Sequence, residues 1–173
     1  MKLIIISAVN PDGIIGINNT IPWHIPEDFK HYKDTTMSHT VIVGYNTYKS
    51  LPKEAFIGRT YLVLGGIKRK QDNVHFFQDL ISLTDYIKLH YLHIDETIYI
   101  AGGERIYNLF IEDCQECIIT WIDKEYKLDN AKLFPLNDLN KFFEEVNSTG
   151  WFKSKNDIKY KIAKYVRRNS WLF

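Results

Sequence analysis

The stretch "TIYIAGGERIYNLF", residues 97–110, decides the fold. Its first half is β-branched and aromatic, which predicts a buried strand, and its second half has the three-to-four apolar spacing of a helix. Two glycines join the halves, and a strand–glycine–helix turn is typical of proteins with a parallel sheet. The turn exposes amide groups at the start of the helix, which bind phosphate well, although such turns also occur simply where a chain changes direction.

Arg105 makes the phosphate interpretation more specific. It lies in the first turn of the helix, where the helix dipole disfavours a cation, and a bound anion would explain its position. A surface arginine without a ligand is the alternative. Ile106, Leu109 and Phe110 form the apolar stripe that is expected to face the core, whereas Tyr107 falls off that stripe and is expected to face a ligand.

The rest of the chain repeats the alternation of strands and helices. Strands are predicted at residues 3–9, 40–44, 60–65, 97–102, 117–122 and 158–162, and helices at 26–36, 45–51, 79–90 and 104–112. The first four strands are continuously apolar, which indicates an α/β protein with a largely parallel sheet. The last strand alternates apolar residues with lysines, which favours an antiparallel strand near the edge of the sheet.

Composition limits the class of protein. The chain has 173 residues, 45% of them hydrophobic, and a formal net charge of +1, so no overall field attracts nucleic acid or an anionic membrane. The apolar start, residues 3–9, is followed by "NPDG" rather than by a cleavage site, so we expect a buried strand and not a signal peptide. No apolar run is long enough to span a bilayer, and we expect a cytoplasmic protein.

Two cysteines, Cys114 and Cys117, form a C-x-x-C pair. Such a pair is redox-active in some proteins and is half of a zinc site in others. No second pair exists, and the spacing of His90 and His93 does not suit a familiar zinc finger. We therefore predict no metal site and interpret the cysteines as small residues where a helix leads into a strand.

The segment "IIGINNTIPWHIPEDFKHYK", residues 14–33, carries an acidic pair at a predicted helix start. Pro26 suits the first helical position, and carboxylates are favoured in the first turn, so both acids have an ordinary explanation. Helical spacing nevertheless places one acid, two aromatic rings and a hydroxyl on one face: Asp28, Phe29, Tyr32 and Thr36. A buried carboxylate needs a partner, and the adjacent N–H groups of an aminopyrimidine ring would match its two oxygens. Glu27 is expected to be solvated.

The order of these motifs resembles that of the dihydrofolate reductase family. The resemblance rests on "DGIIGINNTIPWHIPEDFKHYK", "VIVGYNTYKSL", "GRTYLVL", "IYIAGGERIY", "ITWID" and "LFP", and it runs from Leu3 to about Arg168. It implies a single domain over residues 1–173. It also implies a three-layer fold, in which helices cover both faces of a mixed, mostly parallel sheet of about eight strands with an antiparallel C-terminal strand.

The resemblance implies which residues bind substrate. Asp28 would bind the 2-amino group and N3 of the pterin, with support from the Thr120 hydroxyl and from a water held by Trp23, and we group these three as catalytic. Arg59 would pair with the α-carboxylate of the folate glutamate. The remaining substrate positions are Ile6, Ala8, Phe29, Tyr32, Lys33, Phe56 and Ala101.

The resemblance also implies an NADPH site, with NADH as a possible substitute. Residues 12–22 match a loop that closes over the nicotinamide. The cofactor positions are Ala8, Ile15, Gly16, Asn19, Thr20, Gly44, Asn46, Thr47, Leu64, Gly66, Gly102, Gly103, Glu104, Arg105, Ile106 and Tyr107. The implied reaction reduces 7,8-dihydrofolate to tetrahydrofolate for one-carbon metabolism. Antifolates such as methotrexate or trimethoprim are the expected inhibitors, and a monomer is the expected state.

The chain departs from the family pattern at the cofactor's 2′-phosphate. Tyr45 stands where many relatives carry an arginine, and Gly66 stands where a small hydroxyl residue is common. Arg105, helped by Lys68 or Arg69, is left to favour NADPH. Ala101 is smaller than the usual branched residue of the pocket, which predicts looser packing of substrate or antifolate.

Two other functions remain open. One is a related pterin or riboflavin-pathway reductase of the same fold, against which Asp28 and Thr120 together argue. The other is a folate- or nucleotide-binding structural protein that keeps the fold without turnover, which the altered cofactor positions allow.

Overall fold

The structure is a computed structural model that describes residues 1–67, 71–127 and 129–168. Its first half contains β1 (Lys2–Val9), β2 (Ile14–Ile17), α1 (Pro26–Thr36), β3 (Thr40–Gly44), α2 (Tyr45–Ser50), a 3-10 turn (Lys53–Phe56), β4 (Thr60–Leu64) and β5 (Val74–Phe77). Its second half contains α3 (Leu80–Tyr91), β6 (Thr97–Ile100), α4 (Glu104–Phe110), β7 (Glu116–Asp123), β8 (Ala131–Leu133), α5 (Leu136–Phe142), β9 (Phe143–Ser148), β10 (Phe152–Lys153) and β11 (Lys159–Arg167).

The central sheet is mixed and mostly parallel. Its order is β10-β11-β7-β1-β6-β3-β4-β5. Strand β9 also pairs with β11, on the same edge as β10 but farther along the strand. The five strands β1, β3, β4, β5 and β6 pair in parallel, β7 is parallel to β1, and β11 is antiparallel to β7. Strands β2 and β8 form a separate two-stranded sheet. The predicted α/β class with an antiparallel C-terminal strand is confirmed.

Alternation along β1 divides the core between two faces of the sheet. Leu3 and Ile5 belong to a cluster that contains residues of α3, α4 and α5, whereas Ile4 and Ile6 belong to a cluster covered by α1 and α2. Side chains on successive residues of a strand point to opposite faces, so an apolar run such as residues 3–6 requires cover on both sides. The three-layer arrangement follows from that requirement.

The long apolar strands and the helices lie close to their predicted positions. The observed bounds of β3 and α1 equal the predicted ones, and α3 is displaced by one residue. Strand β6 ends two residues early because Gly102 turns the chain with a φ of 101°, and β11 continues to residue 167. Six short elements were not predicted, namely β2, β5, β8, β9, β10 and α5.

The basic C-terminal segment is largely paired with acids. Lys161 lies 3.8 Å from Glu145, and Lys164 lies 3.2 Å from Glu116. Arg167 instead donates to the carbonyl oxygens of Cys114 at 2.7 Å and Ile111 at 2.6 Å, beyond the end of α4. The lysines of this segment therefore pair with acids of the same sheet, and Arg167 binds carbonyl oxygens at the carboxyl end of α4, where a cation is favoured.

The cysteines lie where a helix leads into a strand, as expected: Cys114 lies between α4 and β7, and Cys117 is the second residue of β7. Cys114 and Cys117 are both buried and carry free thiols. Burial raises the pKa of Cys114 to about 12 and also raises the pKa of Cys117, so neither forms a reactive thiolate at neutral pH. Within the three described ranges, no three acidic, histidine or cysteine side chains are grouped to hold a metal ion. No described helix is both long and apolar enough to cross a bilayer.

Candidate active site

The candidate site lies at the carboxyl ends of the parallel strands. Strands β3 and β6 end beside each other, and Gly44 N donates to Gly102 O at 2.7 Å immediately after them. Helices α2 and α4 begin at these two turns. Ligands of open α/β sheets bind at this edge, because loops and helix starts converge there.

Asp28 is the acid of the site. It lies in the first turn of α1 after Pro26, and its pKa is raised to about 6, mainly because burial disfavours the charged carboxylate. A hydrogen bond from the Thr120 side chain opposes the shift. Thr120 is buried on β7 and is paired in register with Ala8 of β1. The structure therefore brings together Asp28, Thr120 and Ala8, which are far apart in the sequence.

An aromatic and apolar wall adjoins this acid. Four of the predicted substrate positions belong to one cluster on the α1 and α2 side of the sheet, namely Ile6, Tyr32, Phe56 and Ala101. Tyr61 OH donates to Ala55 O at 3.1 Å, so Tyr32 OH is the donor in the 3.0 Å bond between the two phenols. This bond fixes the Tyr32 ring in the wall. Tyr61 was not predicted as a site residue, because the strand pattern identifies it only as a core residue.

Arg59 is buried, with 3% of its surface exposed, at the other end of α1. Its guanidinium donates to Thr36 Oγ1 at 2.8 Å and to the carbonyl oxygens of Lys33, Ala55 and Ile57 at 2.6, 2.9 and 2.9 Å. A guanidinium has five N–H groups, so these bonds leave one on Nη2 for a ligand. The expected two-point contact with a carboxylate therefore requires Arg59 to give up one of its hydrogen bonds to a backbone carbonyl oxygen, so that a second N–H becomes available.

Glycines create a cradle between α2 and α4. A Cβ on Gly103 would lie 3.3 Å from Thr47 Oγ1, and a Cβ on Gly44 would lie 3.2 Å from Ile106 Cγ1. The Gly102–Gly103 peptide bond is cis. The amides of Gly103, Glu104 and Arg105 have no acceptor among the described residues. Backbone donors beside glycines are suited to an anionic group that approaches closely.

A ribbon formed by β2 and β8 flanks the glycine turn. Ile14 pairs with Leu133 and Ile17 pairs with Ala131. Asn10, which is fully buried, anchors the turn before β2: its Oδ1 accepts from Ile14 N at 2.7 Å, and its Nδ2 donates to Lys124 O at 3.2 Å. Asn10 was also absent from the predicted site, although its position in "NPDG" marked a turn.

The family model described as dihydrofolate reductase matches residues 2–167. The chain belongs to the dihydrofolate reductase family.

Individual relatives support this membership. A dihydrofolate reductase of Mycoplasma genitalium is 35% identical over 84% of this chain and 94% of its own length. One of Staphylococcus haemolyticus is 27% identical over 96% of both chains. The solved structure of dihydrofolate reductase from Enterococcus faecalis, complexed with NADP(H) and RAB-propyl, has a TM-score of 0.80 and covers 97% of both chains at 22% identity. The predictions of family and enzyme class are confirmed, and the chain is an oxidoreductase.

Two predictions about side chains near the site need correction. Tyr107 does not stand apart from the core stripe of α4: it is buried with Ile106, and its hydroxyl donates to Ile6 O at 3.0 Å. The carboxylate of Glu27 is not solvated, since Oε1 accepts from Lys155 N at 3.1 Å and Oε2 is buried. In both cases a segment distant in sequence supplies the surroundings: strand β1 for Tyr107, and the turn between β10 and β11 for Glu27.

The other predicted positions differ in exposure. Trp23 is buried in a third cluster with Ile122 and Tyr160, whereas Phe29 is 45% exposed. Gly16 and Leu64 are buried, and Ile15 packs against the larger cluster. The exposed predicted positions are Asn19, Thr20, Lys33, Asn46 and Arg105.

The two departures from the family pattern are in contact with each other. The ring of Tyr45 lies against Gly66, which has a φ of 79°. Lys49 Nζ lies 5.1 Å from the centroid of the same ring. Lys68 and Arg69, which were predicted to help with the 2′-phosphate, lie outside the described residues.

Proposed function

We propose that the chain reduces 7,8-dihydrofolate to 5,6,7,8-tetrahydrofolate by hydride transfer from NADPH. The observation that carries this proposal is the carboxyl of Asp28, whose pKa is raised by burial beside Thr120 and an aromatic wall. A carboxylate that has lost water needs N–H donors, and the amidine edge of a pterin offers two in parallel.

The substrate site extends from Asp28 to Arg59 along α1. Ile6, Tyr32, Phe56 and Ala101 would contact the ring, and the free N–H of Arg59 would bind a carboxylate of the glutamate tail. The lysine at position 33 is exposed near the same end and adds positive charge. The residues thus offer a carboxylate to the N–H donors of the substrate's ring and positive charge to its anionic tail.

The residues also fit a dinucleotide. The unpaired amides of Gly103, Glu104 and Arg105 and the space beside Gly44 and Thr47 suit a pyrophosphate, which needs donors and close backbone approach. Gly16, Asn19 and Thr20 lie on the β2 side, where the nicotinamide end is proposed to bind. When bound, reduced nicotinamide supplies the hydride for C6 of the pterin.

Asp28 has an orienting role in the proposed mechanism. With a pKa of about 6 the carboxyl is mostly ionised at neutral pH, and N–H donors of the substrate stabilise that form further. The ionised carboxylate holds the pterin and polarises it toward protonation at N5. We propose that water delivers this proton, because the family resemblance implies no acidic side chain beside N5.

The test measures loss of reduced-nicotinamide absorbance that depends on dihydrofolate, with NADPH and NADH in parallel. Wild type is expected to turn over, and Asp28→Asn is expected to keep the fold but lose at least about 100-fold in kcat/KM, or about 3 kcal/mol of transition-state stabilisation. Glu27→Gln is the matched control, because it neutralises the neighbouring acid. An Asp28→Asn enzyme within a few-fold of wild type would exclude the assigned role.

A structural protein that binds folate or nucleotide is the second candidate, since Tyr45 and Gly66 alter the cofactor site. Methotrexate and NADPH added together would raise the melting temperature of an enzyme more than either does alone, by linkage. Binding of one ligand without turnover would favour the structural protein, and turnover would exclude it. A riboflavin-pathway reductase would act on its own substrate and not on dihydrofolate.

We further propose a cytoplasmic monomer that comprises one domain over residues 1–173, serves one-carbon metabolism and is inhibited by methotrexate or trimethoprim. It would hold no metal ion and would bind neither nucleic acid nor membrane. Sedimentation tests whether the protein is a monomer, and inhibitor titration tests whether methotrexate or trimethoprim inhibits it.

A further inference from the structure

We propose that Glu104 is a positioning residue, which fastens the β2–β8 ribbon (residues 14–17 and 131–133) to the start of α4. The inference goes beyond the proposed function by assigning a side chain to closure of the site, and it rests on that function only for its effect on dinucleotide binding. The family resemblance by itself implies only that Glu104 is one of the cofactor contacts.

Two contacts link the Glu104 carboxylate to β8. Oε1 accepts a hydrogen bond from Leu133 N at 3.0 Å, and Oε2 lies 3.7 Å from Lys132 Nζ. Within the ribbon, Leu133 pairs with Ile14, and Lys132 pairs with Gly16. Glu104 is the first residue of α4, so its side chain joins the glycine turn to the strand that holds β2.

An apolar contact at the end of the ribbon complements this polar one. The rings of Phe134 and Tyr107 have centroids 5.1 Å apart, and Phe134 N donates to Gly13 O at 2.7 Å. Phe134 is buried, whereas the Glu104 side chain is 37% exposed. Loss of the Glu104 contact should therefore release the ribbon locally without removing a core residue.

The charge of Glu104 explains why the contact also affects the dinucleotide. The carboxylate starts from the same turn as the unpaired amides of Gly103 and Arg105, where a pyrophosphate is proposed to bind. A freely rotating carboxylate would repel that anion. The amide of Leu133 and the ammonium of Lys132 hold the carboxylate on the β8 side and offset part of its charge.

Three variants separate these effects. Glu104→Ala removes the hydrogen bond and the charge, Glu104→Gln keeps an oxygen that can accept from Leu133 N, and Lys132→Ala removes only the ion pair. Glu112→Ala is the matched control, because Glu112 is exposed just beyond the other end of α4.

The first measurement is amide hydrogen exchange of the full chain without ligand. We expect residues 13–17 and 131–134 to exchange about tenfold faster or more in Glu104→Ala, and within about threefold of wild type in Glu104→Gln and Glu112→Ala. Unchanged exchange in Glu104→Ala would overturn the proposal. Equal acceleration in Glu104→Gln would also overturn it, because charge rather than the hydrogen bond would then hold the ribbon.

The second measurement is the KM for NADPH with dihydrofolate saturating. Glu104→Ala is expected to raise it by about three- to tenfold, whereas Glu104→Gln is expected to lower it, because the neutral amide keeps the bond to Leu133 N and no longer repels the pyrophosphate. A raised KM in Glu104→Gln equal to that in Glu104→Ala would overturn the positioning role. If wild type bound no dinucleotide, the proposed function would fail, while the exchange experiment would still decide whether Glu104 holds the ribbon.

Discussion

The phenol ring of Tyr45 lies against the backbone of Gly66, so closely that a Cβ on Gly66 would come within 2.1 Å of Tyr45 Cδ2. The Tyr48 ring is stacked with that of Tyr45 at a centroid distance of 6.1 Å, and it meets the rings of Phe56 and Phe76 edge to face. The two unusual residues at the proposed adenosine end are therefore one arrangement: the ring at position 45 occupies the space that any side chain at position 66 would need.

Gly66→Ala should lower the free energy of unfolding by about 1–3 kcal/mol, because the added methyl overlaps the Tyr45 ring. The φ of 79° at this position adds strain for any residue with a Cβ. Urea denaturation at constant pH measures the loss. Gly150→Ala is the control, with an expected change within about 0.5 kcal/mol, since a Cβ there meets no atom within 4 Å. Equal stability of the two variants would contradict the contact.

Tyr45→Arg should increase the preference for NADPH over NADH. An arginine supplies a cation that a 2′-phosphate can pair with, and a charge-assisted hydrogen bond is worth about 1.5–3 kcal/mol, or roughly tenfold and more in relative kcat/KM. The ratio of kcat/KM values for the two cofactors measures the change. Tyr45→Phe keeps the ring and should leave the ratio unaltered. An unchanged ratio in Tyr45→Arg would mean that position 45 does not face the 2′-phosphate.

Asp28→Asn should stabilise the free protein at neutral pH. The folded pKa of about 6 lies above the ordinary value of 3.8, so between these values the unfolded chain has lost its proton while the folded chain retains it. Stability therefore falls as the pH rises through this window, by roughly 2–3 kcal/mol in total at about 1.4 kcal/mol per pKa unit. The variant escapes this loss, so its melting temperature should exceed that of wild type above pH 6.

Thermal unfolding from pH 3 to pH 8 tests this sign. The difference between Asp28→Asn and wild type should vanish near pH 3, where both states of the wild-type carboxyl are protonated. Glu27→Gln, which removes the neighbouring charge but keeps an oxygen that can accept from Lys155 N, should not reproduce the pattern. A variant that is less stable than wild type at pH 7 would show that the Asp28 carboxylate is satisfied within the free protein.

Arg59→Lys should destabilise the protein and weaken substrate binding. Lysine cannot reproduce the donors to Thr36, Lys33, Ala55 and Ile57, and unsatisfied buried groups cost about 1–3 kcal/mol each in the worst case. We expect a loss of several kcal/mol in unfolding free energy and a higher KM for dihydrofolate. Lys33→Met is the control, because it removes a positive charge from an exposed position near the same end of α1. Wild-type stability in Arg59→Lys would show that the guanidinium bonds are not formed in solution.

The sequence predicted those parts of the fold that hydrophobic pattern determines. Residues 40–44 and 26–36 lie where they were expected, since an apolar run and a Pro-capped amphipathic segment each have one favourable local structure. Strand β5 was missed because "VHFF" lies near the sheet edge and is too short to show a period. Strand β9 was missed because residues 144–148 are exposed and mostly polar, and such a run reads as a loop.

The site was predictable only in its residue types. Asp28 and Thr120 could be named from motifs, but the raised pKa depends on burial that β1 and β7 create together. The bonds of Arg59 and the link between Glu104 and Leu133 join segments remote in sequence, and no local pattern encodes such pairs. The structure therefore adds these contacts and the raised pKa of Asp28, which neither the spacing of residues nor the family resemblance indicates.

Strand β1 has a consequence for synthesis of the chain. Its two neighbours are β6 and β7, so Lys2 pairs with Thr97 and Ile4 pairs with Glu116. When residues up to 100 have left the ribosome, the apolar run at residues 3–6 still has one of its two edges open. Strand β1 is translated before both of its neighbours, which leaves the nascent chain dependent on protection from aggregation until β7 has emerged.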